Sequence, residues 1–232
     1  MTLRLATYNV HKCIGMDRRR SPERILAVLA ALKADILALQ EVDHRIGARP
    51  EALPRALIAQ GTPYAVAGHA TGERSLGWHG QAILVRRDWP IRDVARIDLP
   101  SLEPRGAILA EIDTAFGLLR VVGVHLGLIR RLRLLQLATI ALALAARPPM
   151  PSAILGDWNE WSRKARFGAV SENFRILAPG ASFPALRPVG RLDRIALGPG
   201  LGVGAAGVLS GGQARLASDH LPVWAEVGWE GV

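Results

Sequence analysis

Apolar runs of strand length recur along this chain, each stopping at a polar residue. The stretch Ala153–Glu160 shows the pattern best. It opens as the short apolar run of a buried strand and is stopped by Gly156. Asp157 and Asn159 follow, a carboxylate and an amide that an extended segment would place on one face. Aimed together from a strand end, they could hold a water or a metal.

The remaining elements follow in order. Leu3–Val10 alternates as a strand that delivers Asn9, and a basic loop runs from Lys12 through Arg20. Ser21-Pro22-Glu23 starts a helix with a capping hydroxyl, proline at the first helical position and an early acid. Asp35–Gln40 is a second strand with Glu41 at its end, which makes the opening an α/β unit. A helix is expected over Glu51–Gln60. Strands are expected over Tyr64–Gly68, Gln81–Arg86, Arg92–Ile97, Ala107–Asp113 and Leu118–His125, as antiparallel sheet. A long helix, Arg130–Ala146, ends at Arg147-Pro148-Pro149. Beyond the strand Ala153–Gly156, a short helix is expected over Arg163–Val170. Strands are expected over Phe174–Ala178, Arg191–Leu197, Val203–Leu209 and Leu221–Val227. Such mixed order predicts sheets packed together and flanked by helices.

Glycine and proline are scattered as turn punctuation, so residues 1–232 read as one domain. Cys13 is the only cysteine, which excludes an intrachain disulfide and a cysteine-rich metal site. The N-terminus reads as a strand rather than a signal peptide. The most apolar stretch, Leu134–Ala146, is short of the roughly 20 residues that span a bilayer. The expectation is a soluble, cytoplasmic monomer.

Asn9, Glu41, His125, Asp157, Asn159, Asp193, Asp219 and His220 all stand at the ends of apolar runs. Singly each has an ordinary alternative: a turn cap for Asn9, an exposed acid for Glu41, a core histidine for His125, an ion pair for Asp193. Taken together, Ala-Thr-Tyr-Asn-Val (6–10), Leu-Gln-Glu-Val (39–42), Val-His-Leu (124–126), Gly-Asp-Trp-Asn (156–159), Arg-Leu-Asp-Arg-Ile (191–195) and Ser-Asp-His-Leu-Pro-Val (218–223) occur in that order. They resemble the endonuclease/exonuclease/phosphatase superfamily, the deoxyribonuclease I-like proteins.

That resemblance implies a four-layer α/β sandwich, two packed mixed β-sheets flanked by helices, and divalent-metal-dependent hydrolysis of phosphoester bonds. It implies Mg²⁺ or Mn²⁺ held by Glu41 with Asn9 and Asp219 nearby, in keeping with the hard oxygen ligands Mg²⁺ prefers. Asp157 would orient or deprotonate water, Asn159 would donate to the phosphate, and His220, held by Asp193, would serve the phosphoryl group. His125 resembles the histidine of the deoxyribonuclease I and sphingomyelinase-like branches, where abasic-site nucleases carry tyrosine. Glu103 resembles the residue that orients it, or is a turn residue. Arg105 could bind phosphate. Two positions depart from the pattern: Gln81 stands where many relatives show Asn, and His11 where repair nucleases have Asp.

The formal charge is +9, nearly all of it arginine. Lys12, Arg18, Arg19, Arg20, Arg45, Arg49, Arg130, Arg131, Arg133, Arg163, Lys164 and Arg166 follow the chemistry-bearing strand ends and should share one rim. Such a rim suits a phosphate-bearing, polyanionic substrate, nucleic acid being the natural case. A lipid head-group or small phosphodiester is an alternative, with the Arg-rich start of the helix at Arg130 touching anionic membrane. A non-catalytic phosphate-binding module is a further one. His44, His69 and His79 read as surface histidines, and Trp158 and Trp161 as packing residues.

Overall fold

A computed structural model describes residues 2–68, 70–103, 105–162 and 164–230, and twelve strands run through these described residues. In chain order the first six are β1 (Leu3–Asn9), β2 (Ile36–Gln40), β3 (Tyr64–Ala67), β4 (Gln81–Arg86), β5 (Ile91–Asp98) and β6 (Gly106–Thr114). The other six are β7 (Gly117–His125), β8 (Ser152–Asp157), β9 (Arg175–Leu177), β10 (Asp193–Leu197), β11 (Leu201–Val208) and β12 (Val223–Trp229). The helices are α1 (Pro22–Leu32), α2 (Arg55–Gly61), α3 (Arg130–Ala145), α4 (Ala169–Asn173) and α5 (Ala214–Ala217).

The strands form two six-stranded sheets, ordered β11-β12-β1-β2-β4-β3 and β5-β6-β7-β8-β10-β9. Each holds one parallel pair, β1 with β2 and β7 with β8, joined by the crossover helices α1 and α3. Parallel neighbours end side by side, so Asn9 finishes beside Gln40 and His125 beside Asp157.

Burial on both faces explains the continuous apolar runs. One face of each sheet packs on the other sheet, through Leu5, Ile36, Ile83, Ile108, Val121, Leu155, Ile195 and Val223. The outer face of the first sheet packs under α1 and α2 through Tyr8, Leu37, Leu39, Ile25, Leu29 and Ile58. The outer face of the second packs under α3 through Leu109, Val122, Val124, Leu137 and Ile140. Helices, sheet, sheet and helices make the expected four layers.

The period of two then positions the site. Leu5 in β1, Val121 in β7, Leu155 in β8 and Ile195 in β10 all face the opposite sheet. Asn9, His125, Asp157 and Asp193 stand an even number of residues from them, so the same alternation turns these polar side chains into the inter-sheet layer at one edge.

Three local readings are corrected. The helix expected over Glu51–Gln60 starts only at Arg55, after Pro54. Its first residues pair backward instead, Ala52 and Leu53 N–H donating to Val42 O and Asp43 bridging Glu51. No helix covers the described residues 164–168; a short one begins after Gly168, whose φ of 57° interrupts the run. Finally, Gly156 does not stop its strand, since β8 continues to Asp157. A side chain at 156 would lie 1.9 Å from Val124 O, so glycine is needed for β7 and β8 to approach there.

Candidate active site

Asp157 Oδ2 is the hub of a buried polar cluster. It accepts from Asn9 Nδ2 at 3.2 Å and faces His125 Nε2 at 3.5 Å and His220 Nε2 at 3.6 Å. Its second oxygen accepts the Asn159 N–H at 2.9 Å. Asn159 sits at φ 50°, so the segment curls back and the two side chains do not share a strand face. Instead Asn159 Nδ2 donates to Leu126 O at 2.8 Å, tying the ends of β7 and β8.

On the other side of His220, Nδ1 lies 2.8 Å from Asp193 Oδ2, which also accepts from Ser182 Oγ at 2.5 Å. Asp193 Oδ1 is buried without a partner among the described residues. Burial opposes a charged His220, but Asp193 and Asp157 outweigh it and lift its pKa to about 10. Burial raises Asp157, the His220 charge draws it down, Asp193 pushes it up again, and the result is about 6. At neutral pH the pair is therefore imidazolium and carboxylate. His125 is neutral, since burial and then Arg105 hold its pKa well below the ordinary value.

Glu41 directly follows β2 in a left-handed conformation, φ 57°. Its carboxylate is bonded by the Lys12 ammonium on one oxygen and by Arg45 at 2.7 Å on the other. Burial works to raise its pKa, and the Lys12 and Arg45 cations more than offset this and hold it below the ordinary carboxylate value. Asn9 Oδ1 accepts the His11 N–H at 3.0 Å, and His11 Nδ1 lies 3.8 Å from Asp219 Oδ1. Ser218 Oγ links the two strand ends, donating to Asn9 O at 2.7 Å.

Glu41, Asp219 and the Asn9 amide oxygen are donors of the hard-oxygen type, and Glu41 gathers positive charge on both oxygens. That chemistry fits a divalent cation such as Mg²⁺. Asp157, Asp193 and His220 also offer ligand atoms within 4.8 Å of one another, close enough to hold an ion. With His220 protonated, however, neither of its nitrogens has a lone pair to give.

The other expected residues fall nearby. Arg105 is buried and donates to Glu103 at 2.9 Å, so among the described residues the Glu103 bond goes to Arg105 and not to His125. Gln81 is buried and donates to Gly106 O, and among the described residues its own oxygen has no partner. Arg130 is exposed, 3.9 Å from Glu160, whereas Arg133 is buried, donates to Glu160 at 2.8 Å and bonds Gly127 O and Leu128 O. Arg133 is thus part of the structural link between α3 and the loop after β8 rather than a rim cation. His69 and Arg163 lie outside the described residues. Trp158 is buried as expected, while Trp161 is exposed.

Sequence patterns did not reveal Ser182, Lys12 or Arg45 as partners of the cluster. Ser182 lies in Ala-Ser-Phe-Pro with no marking context, and the two cations were indistinguishable from the other rim charges.

Two packed mixed sheets with an Asp–His cluster at one edge define a deoxyribonuclease I-like sandwich. Residues 6–220 match the model of the Endonuclease/Exonuclease/phosphatase family, and the chain belongs to that family. No curated protein matches the sequence. The fold is similar to an endonuclease/exonuclease/phosphatase from Bacteroides vulgatus, with TM-score 0.79 at 18% identity over 99% of this chain and 100% of that one. It is also similar to D. rerio TDP2 complexed with single strand DNA product (TM-score 0.76, 17% identity, 98% of this chain and 99% of that one). A third similar structure is the Bacteroides thetaiotaomicron mannosyl-6-phosphatase Bt3783 (TM-score 0.72, 20% identity, 98% and 100%). Among the described residues, no helix is long and apolar enough to cross a membrane.

Proposed function

We propose that this chain is a divalent-metal-dependent phosphoester hydrolase of the phosphodiesterase or endonuclease-like kind. The observation that carries the reading is the buried relay Asp193–His220–Asp157, with an imidazolium held between two carboxylates. Family membership and the similarity to a structure holding a DNA product and to a sugar phosphatase support it.

Mg²⁺ or Mn²⁺, held by Glu41 with Asn9 and Asp219, would supply the positive charge that phosphoryl oxygens need. The chain's own residues divide the proton work. Asp157, with a pKa of about 6, is ionised at neutral pH and close enough to it to act as general base toward an attacking water. Asn9 and the Asn159 backbone hold that carboxylate in place. His220 carries a proton that it can donate to a phosphoryl or leaving oxygen, and Asp193 fixes its orientation. Neutral His125 can donate a hydrogen bond without adding charge. One Asn159 amide hydrogen is committed to Leu126 O, and the other is left for the phosphate.

The test is turnover of a panel of DNA, RNA, phospholipids and phosphorylated small molecules with Mg²⁺, Mn²⁺ or EDTA. Cation-dependent release from at least one class is expected. A folded chain that turns over none of them, with either cation, contradicts the reading and favours a phosphate-binding module.

A further inference from the structure

The loops that leave the active edge are apolar as well as basic. Ile46, after β2, is 88% exposed, and Leu102, in the turn between β5 and β6, is 82% exposed. Leu128 and Ile129, directly after β7, are 67% and 51% exposed, and Trp161, after β8, is 58% exposed. Topology sets all of them on one rim. β2, β7 and β8 all end at this edge, and β6 begins there, with Ala107 paired to Val124 next to His125. Trp161 also stacks edge-on to Phe183 at 5.9 Å, and Phe183 lies 4.9 Å from the His220 ring. Among the described residues, exposed side chains of this class away from the rim include Leu118 at the opposite strand ends and Leu135 and Leu142 along α3.

Cations are interleaved with these residues. Arg45 sits next to Ile46, and the exposed Arg130 and Arg131 follow Ile129. Beside Arg45 a cavity of about 190 Å³ opens next to His125, lined by Arg45, Arg49, His79 and Arg105 and also by the carboxylates Glu41, Asp43 and Glu103. Arg49 donates to His79 Nδ1 at 2.7 Å, and Arg105 Nε is buried with no partner among the described residues. The cavity is small beside the usual ligand pocket of roughly 300 Å³ or more, so it suits a phosphate group rather than a base and sugar.

We propose that this rim is a docking surface for an anionic phospholipid bilayer, presenting lipid head-groups to the catalytic edge. Exposed apolar side chains clustered around a mouth mark an interaction surface. Tryptophan and isolated aliphatic residues between arginines suit the boundary between head-groups and acyl chains, where the negative surface attracts the cations. A nucleic-acid strand would use the arginines and could stack a base on Trp161, whereas a bilayer boundary takes up the separate aliphatic side chains Ile46, Leu102 and Leu128 together with the cations. A second copy of the chain would have to press two like-charged faces together. That the hydrolysed bond belongs to the lipid rests on the hydrolase reading above; the docking itself does not.

Sedimentation of the full chain with vesicles tests it, using phosphatidylcholine alone and phosphatidylcholine mixed with phosphatidylglycerol. Binding to the mixed vesicles is expected, with a blue shift of emission that Trp161→Phe abolishes. Leu128→Asp with Ile129→Asp should weaken binding about tenfold or more, while Leu142→Asp, on α3 away from the rim, should leave it unchanged. These side chains are exposed, so the variants should fold, which circular dichroism checks. No binding to mixed vesicles, equal binding to neutral ones, or equal loss in the Leu142 variant overturns the proposal. Vesicle binding by a chain that turns over no phosphoester leaves the surface standing and removes only the hydrolase reading. Turnover of soluble phosphodiesters without vesicle binding does the reverse.

Discussion

Asp193 Oδ2 and His220 Nδ1 lie 2.8 Å apart, and this carboxylate keeps the imidazole both charged and aimed at Asp157. Asp193→Asn keeps the shape but removes the charge. The His220 pKa should then fall from about 10, and the alkaline limb of the pH–rate profile should move to lower pH by a unit or more. An unmoved limb would mean that another group sets it.

The same pair links stability to pH. His220 has a pKa of about 10 in the folded chain against an ordinary 6.5, so the folded state holds the extra proton between those values. Its stabilisation is complete below pH 6.5 and is lost as pH rises through about 10. Asp157, raised from 3.8 to about 6, acts in the same sense at lower pH, since ionising it in the fold costs stability across that window. The difference in Tm between wild type and His220→Gln should therefore shrink from pH 7 to pH 10. A constant difference would contradict the assignment.

Arg133 and Glu160 form a buried pair, each side chain 8% exposed. Arg133→Ala strands the Glu160 carboxylate, a loss of about 3–5 kcal/mol, so thermal unfolding should show a drop of roughly 6–20 °C for a chain of this size. Arg131→Ala, at an exposed position, should change Tm by little.

Lys12 competes for Glu41. An ammonium on a carboxylate oxygen opposes a divalent cation there, so Lys12→Met should lower the Mn²⁺ concentration needed for half-maximal binding, read by electron paramagnetic resonance of free Mn²⁺. Weaker Mn²⁺ binding in the variant would mean that Lys12 helps to build the metal site.

What the sequence showed clearly was whatever a period of two encodes. Asn9, His125 and Asp157 end, and Asp193 begins, runs whose alternate residues face the other sheet, so the strand pattern and the site pattern are one signal. Left-handed positions were not legible. Nothing in Leu-Gln-Glu-Val distinguishes Glu41 at φ 57° from the next residue of a strand, and Asn159 at φ 50° broke the same-face reading of Asp157 and Asn159. Partnership across long separations was also invisible. Arg133 looked like any rim arginine until Glu160, 27 residues away, came under it. The exposure of Trp161 depends on the course of its loop, which residue type alone does not set.

The most direct test is the turnover of bis(p-nitrophenyl) phosphate by wild type and Asp157→Asn, with both shown to be folded. Wild type should hydrolyse it with Mg²⁺ or Mn²⁺, and the variant should lose about 10²–10⁴-fold in kcat, the range for removal of a general base. A folded Asp157→Asn chain turning over at the wild-type rate would contradict the placement of the chemistry at this cluster.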